Sequence, residues 1–387
     1  MPSMSPFALG FRPFFLGAAM YAMVAMGTWT VAWQGQQVPG VTGLGAPQWW
    51  HAHGMVFGYS AGVIAGFLLT AIGNWTGRPT LHGWPLAALF SLWAAARAIP
   101  HFGATIQATA AVDLSFDLSL MMAATVPLFR ARQWKNLAIF GPMLVLLTAA
   151  NAAVYLGAMG QGPGQRFGLY LGLYVVLAFI MTIGGRVFPF FIRRGLGIQD
   201  EMRQPKALAH ANLAALVGFV AVDLTWPSSM AAGILAGAVA LINARQLWIW
   251  TRRGVWSQPL LWVLTLGYGW LVVGFALVSL KTLGVFPAGQ GLHALTAGCI
   301  GMTTMGMMAR VSLGHTGREI YAPRPALRLC FGLLLGAAAV RVWLPPTGVS
   351  YAVAIVTSQV AWIAAFAVFV AMYAPILLSP RVDGRPG

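Results

Sequence analysis

Trp49-Trp50-His51-Ala52-His53-Gly54-Met55 opens an apolar stretch that runs to about Ile72, long enough to cross a bilayer as a helix. Histidine at such a place loses part of its hydration, so it hydrogen-bonds a partner, lines a polar path or ligates a metal. Two histidines one residue apart call for a shared explanation. On a regular helix, positions i and i+2 point about 200° apart. His51 and His53 therefore reach one common partner only if the helix starts after them; otherwise they serve two.

Composition places the rest of the chain in the same class. Hydrophobic residues make up 59% of 387 and charged residues 8%, with a mean hydropathy of +0.75, which describes a polytopic membrane protein. Twelve apolar runs follow one another, at 14–33, 53–73, 84–100, 108–129, 137–158, 168–191, 207–224, 230–250, 259–281, 291–313, 326–344 and 350–378. No soluble domain fits between them, so 1–387 reads as a single all-α transmembrane domain. The first run lacks a small-residue cleavage site and reads as a retained span. Cys299 and Cys330 fall near opposite ends of successive spans, which argues against a disulfide.

The charges support twelve spans independently. All but Arg97, Arg166, Lys281 and Arg341 of the 23 Lys and Arg residues fall on one side. The positive-inside rule makes that side, with both termini, cytoplasmic. The net charge of +16 is then a topology signal with attraction to anionic membrane lipids, and it needs no nucleic acid to explain it. Sidedness sorts the histidines: His51, His53, His101 and His293 lie at the outer face, and His82, His210 and His315 at the inner. His293 and His315 bracket the tenth span, about 33 Å apart if helical, so they cannot share a metal.

The second and tenth spans echo each other. Each begins His-Ala, at His51-Ala52 and His293-Ala294, and each ends Thr-Gly-Arg, at Arg78 and Arg318. The second also carries Gly54, Gly58, Gly62 and Gly66 down one face; close helix packing is the common use of such a repeat, and a flat bed for a planar macrocycle is the other. At the inner face, Arg12, Arg78, Arg186 and Arg310 end spans, where arginine commonly snorkels to headgroups or caps a helix C-terminus; the turns Asn74 to Pro79 and Leu313 to Arg318 beside them suit an anionic group, with His315 either a ligand there or an ordinary loop histidine. The membrane-level acids are Asp113, Asp117 and Asp223, all toward the outside. The plain expectation is that they pair with Arg97, Arg166 or backbone donors; no inner chain of carboxylates conducts protons, so any proton-consuming chemistry draws from the outer face. Met302, Met305, Met307 and Met308 suit Cu(I), although methionine in a span more often packs. Met55, beside the imidazoles, is the better soft ligand.

Gly10-Phe11-Arg12-Pro13-Phe14-Phe15, Trp50-His51-Ala52-His53, Asn74-Trp75-Thr76-Gly77-Arg78-Pro79, Gly184-Gly185-Arg186-Val187, Leu292-His293-Ala294-Leu295-Thr296 and Arg310 to Arg318 together resemble the NnrS family of nitric oxide and denitrification-associated membrane proteins. The resemblance implies an inner-membrane protein holding haem, of b type, and copper, with nitric oxide as ligand or substrate in relief of nitrosative stress. Gly54 stands where the family often has an acid, so none is expected there. Together with the sidedness argument, this predicts a haem between the second and tenth spans. His53 or His51, and His293, are its axial candidates, with Gly54, Gly58, Gly298 and Gly301 below them and Arg97 and Arg341 as cations for its carboxylates. The remaining imidazole is left for copper, with Met55. Arg78, Arg310 and Arg318, with His315, form the predicted inner site for an anion or cofactor carboxylate.

The outline resembles, by analogy, the twelve core helices of haem–copper oxidases. It departs from them because the sixth span has no histidine and the seventh only His210, so an oxidase-type copper triad is absent. Three functions stand open: an oxidoreductase that binds or turns over nitric oxide, a transporter, and a haem and copper sensor or store. The sequence names no electron donor.

Overall fold

The computed structural model describes residues 5–199, 202, 205–286, 288–322 and 324–385; Arg203, counted above with the cytoplasmic cations, lies outside them. Among the described residues there are twelve helices in the order expected. Ten are long and apolar enough to cross a membrane: Phe11–Trp33, Pro47–Thr76, Ile106–Arg130, Trp134–Ala158, Gln165–Leu196, Lys206–Thr225, Met230–Trp250, Pro259–Thr282, Pro325–Trp343 and Tyr351–Leu378. The third, Trp84–Ala98, has 15 residues and runs into a 3-10 turn at Ile99–Phe102. The tenth is built of Ala288–His293, Ala294–Ile300 and Gly301–His315 in succession. The fold is that of a polytopic membrane protein. Cys299 and Cys330 are buried and free.

The second helix starts earlier than its hydropathy suggested. Pro47 occupies its first turn after extended Ala46, where a missing N–H costs nothing and the fixed φ suits the helix. His51 and His53 therefore both sit on helix, and they serve two partners. Directly after His53 the backbone widens into a π-helical segment, Gly54–Ser60. The tenth helix does the same directly after His293, at Ala294–Ile300. Both helices end at a left-handed glycine, Gly77 at φ 64° and Gly317 at φ 74°, a conformation that closes a helix without a Cβ clash. Histidine, π segment and glycine cap thus recur at one offset of 240 residues. The repeat matches His293 with His53, two residues on from the His-Ala pairing legible in sequence.

The chain divides into two compact units. One comprises Met1–Val176, Met308–Ile320 and Phe366–Gly387; the other comprises Leu177–Met307 and Tyr321–Ala365. In the first unit the glycine stripe is packing. A Cβ at Gly54 would lie 2.5 Å from the Tyr21 hydroxyl, one at Gly62 3.1 Å from Trp93 Nε1 and one at Gly66 2.8 Å from the Phe15 ring, and Gly58 is likewise covered by Tyr21. In the second unit Gly298 lies under Trp270 and Gly301 under Trp362. The flat bed expected for a macrocycle on Gly54, Gly58, Gly298 and Gly301 is therefore taken by aromatic rings. Met302, Met305 and Met307 are buried as packing residues, with Cys330 Sγ donating to Met305 Sδ at 3.2 Å.

Candidate functional site

The first unit holds a buried polar cluster on its second, third, fourth and fifth helices. Asp113 is fully buried. Its Oδ1 accepts from Arg97 Nη2 at 2.6 Å, and its Oδ2 accepts from the Tyr155 hydroxyl at 3.0 Å and from Asn151 Nδ2 at 3.1 Å. The same Nδ2 donates to Asp117 Oδ2 at 2.8 Å. Because Asn151 spends its amino group on the two acids, its Oδ1 is the acceptor toward His53 Nε2 at 2.8 Å, so His53 carries its proton on Nε2. His53 Nε2 also lies 3.5 Å from Asp113 Oδ2.

The π segment helps to position this cluster. Two of its carbonyls accept from the third helix: Phe57 O from Arg97 Nη2 at 3.0 Å and Gly58 O from Trp93 Nε1 at 3.0 Å. Arg97 also donates to Trp93 O at 3.0 Å, so three acceptors hold its guanidinium. Of the predicted pairings, Asp113 with Arg97 is present, and Arg97 acts as the cation of this cluster. A cavity of about 70 Å³ reaches it, lined by His53, Arg97, Tyr155 and Thr109 and, from the loops beyond, by Gly40 and Pro100.

The other outer histidines have separate surroundings. His51 stacks on Trp29, centroids 4.7 Å apart and planes at 13°. Met55, one helical turn on, packs with Trp29 and Tyr21 against a cluster that includes Trp50 and Val41. His293, in the second unit, pairs Nδ1 with Gly289 O at 2.8 Å, which assigns the proton to Nδ1 and leaves a lone pair on Nε2. Arg341, in the same unit, donates to the Tyr351 hydroxyl at 3.1 Å.

At the other end of the first unit the predicted inner residues separate. Arg310 is 4% exposed, whereas Arg78 is exposed at the end of its helix. The His315 ring packs on Phe11, centroids 5.7 Å apart, and its carbonyl accepts from Arg381 Nη1 at 2.8 Å. Arg12, 1% exposed, donates to Leu377 O at 2.9 Å and Ser379 O at 2.6 Å. The tail after the twelfth helix thus closes this end: Val382 N donates to Thr316 O at 3.2 Å, and Arg381 grips Asp383 through Nε at 2.8 Å and Nη2 at 2.6 Å. That grip holds the Asp383 carboxyl well below the usual range, at about 2.

Asn151, Tyr155 and the C-terminal tail were not singled out by sequence reasoning. An amide inside the apolar run 137–158 was the available signal for the first, since a buried amide needs a partner.

Ten helices long and apolar enough to cross a membrane, with a buried, ion-paired cluster of acid, arginine and histidine in the first unit, define a polytopic membrane protein. The family model described as NnrS protein matches residues 5–381. The chain belongs to the NnrS family, and so to a nitric-oxide-associated group of membrane proteins. A search of curated proteins found no match.

Proposed function

We propose that this chain is a haem- and copper-binding protein of the bacterial inner membrane that binds or reduces nitric oxide at a metal on the outer side. The supporting observation is His293. A metal-ligating imidazole commonly donates its second ring N–H to a carbonyl, which fixes the ring and leaves the other nitrogen to the metal; Nδ1 of His293 does this with Gly289 O. Among the described residues no group of three or more His, Cys, Asp and Glu is placed to hold a metal. A haem, which brings four nitrogens of its own, needs only one or two such ligands. The donor chemistry fits, while the glycine faces do not supply its bed. Bound haem would supply an iron able to take nitric oxide. For copper, His51 and Met55 offer an imidazole and a thioether one turn apart, a soft pair suited to Cu(I). His53 is committed to Asn151 and the acids.

A visible absorption spectrum with metal analysis of the purified protein tests this reading: a Soret band and copper support it, and a colourless, metal-free protein favours a transporter. Anaerobic nitric oxide consumption with an added electron donor then separates turnover from storage or sensing. The sidedness is tested by reporters: one after Arg385 should read cytoplasmic, and one near Gly40 periplasmic.

A further inference from the structure

The cluster around Asp113 does not balance its own charge. Asp113 and Asp117, 0% and 4% exposed, have one guanidinium near them, Arg97, which bonds Asp113, and His53 turns its Nε2–H to the amide oxygen of Asn151 at 2.8 Å rather than to the Asp113 carboxylate at 3.5 Å, the preference of a neutral ring. With both acids ionised the cluster would carry one uncompensated negative charge, and a buried group avoids that by taking up a proton. The hydrogen bonds say where the proton rests. Asp113 accepts from Arg97, Tyr155 and Asn151, three donors that favour a carboxylate, whereas among the described residues Asp117 accepts from Asn151 alone.

A route to that proton is also present. The cavity of about 70 Å³ is lined both by His53, Arg97 and Tyr155 of the cluster and by Gly40, Gly43, Leu44, Pro100 and Ala104 from the segments after the first and third helices. It is polar on the cluster side and has room for more than one water. Tyr155, on its wall, is the residue whose hydroxyl meets Asp113 Oδ2.

We propose that Asp113 and Asp117 form a buried proton-holding pair, loaded through this cavity from the side of the 34–46 and 99–105 loops, with Tyr155 as the hand-over group. Hydronium in the cavity gives a proton to the Tyr155 oxygen as that hydroxyl passes its own proton to Asp113 Oδ2. Water stays behind, and the proton crosses to Asp117 Oδ2, which shares the Asn151 Nδ2 donor. No electron moves and no other bond changes. The proposal needs neither haem nor copper, so its fate is separate from theirs.

Infrared spectroscopy of the purified full chain at neutral pH tests it. A protonated carboxylic acid band should be present, shift on transfer to D2O and vanish in the isosteric variant Asp117→Asn. Ala104→Trp, which puts a large ring into the cavity lining, should slow the deuterium shift at least tenfold. Independently, Thr109→Cys should react with a small charged thiol reagent while the wild type, whose two cysteines are buried, does not. Absence of the band, its persistence in Asp117→Asn, an unchanged exchange rate in Ala104→Trp, or an unreactive Cys at 109 would each overturn the proposal.

Discussion

His53 donates Nε2–H to Asn151 Oδ1 across 2.8 Å. The direction follows from Asn151, whose other end is spent on two carboxylates. Replacing Asn151 with Ala would leave a buried imidazole N–H and two acids without their common partner. Each unsatisfied buried group costs roughly 1–3 kcal/mol, so Asn151→Ala should rank among the most destabilising single substitutions in this unit. Thermal unfolding in detergent, compared with Asn136→Ala in a partly buried position at the start of the same helix, checks this.

The Arg97–Asp113 ion pair makes a sharper forecast. Removing one partner of a buried pair costs about 3–5 kcal/mol, while replacing both by apolar groups of similar volume is often close to neutral. Arg97→Met should therefore be severely destabilised and Arg97→Met with Asp113→Leu less so. A double variant as unstable as the sum of the singles would show that the two residues act separately.

Packing of the glycine stripe is testable without any cofactor. Gly66→Ala drives a methyl to 2.8 Å from the Phe15 ring, and overpacking of this kind costs about 1–3 kcal/mol. Gly27, with nothing within 4 Å of an added Cβ, should tolerate Ala or gain up to about 1 kcal/mol from helix propensity. Equal behaviour of the two variants would contradict the packing account.

The inner arginines should separate as their burial does. Arg310→Lys keeps the charge but loses the planar fork, and at 4% exposure it should lower stability or cofactor content. Arg78→Lys, exposed, should leave both unchanged.

Tail docking should depend on pH through Asp383. Its folded value, about 2, lies below the ordinary 3.8 because of Arg381. A lowered carboxyl contributes stability above its ordinary value and loses it as pH falls through the folded value. A spin label on the tail should therefore stay immobile at neutral pH and gain mobility between about pH 4 and 2. In Asp383→Asn the gain should be present already at neutral pH.

The twelve helices among the described residues were legible as apolar runs, ten of them because a bilayer sets a minimum length for a span. The pairing of Asp113 with Arg97 was legible because acids at membrane level are few. What joins them was not: Asn151 and Tyr155 reach the acids through helix packing, and an apolar run carrying one amide does not name its partner. The π segments after His53 and His293 escaped because a shift in backbone hydrogen bonding leaves no mark in composition. Their common offset corrects the pairing of His51 with His293 that the shared His-Ala dipeptide suggested. The glycine faces looked open because the rings that fill them, Tyr21, Trp93 and Trp270, come from other helices.

The central claim is that His293 presents its Nε2 to a haem while His53 serves the buried acids. The most direct measurement is the haem absorption of His293→Ala, His51→Ala and His53→Ala proteins made in equal amounts and confirmed folded. The account predicts loss of haem absorption in His293→Ala, retained haem in His53→Ala, and loss of copper without loss of haem in His51→Ala. Full haem content with an unaltered spectrum in His293→Ala would contradict it.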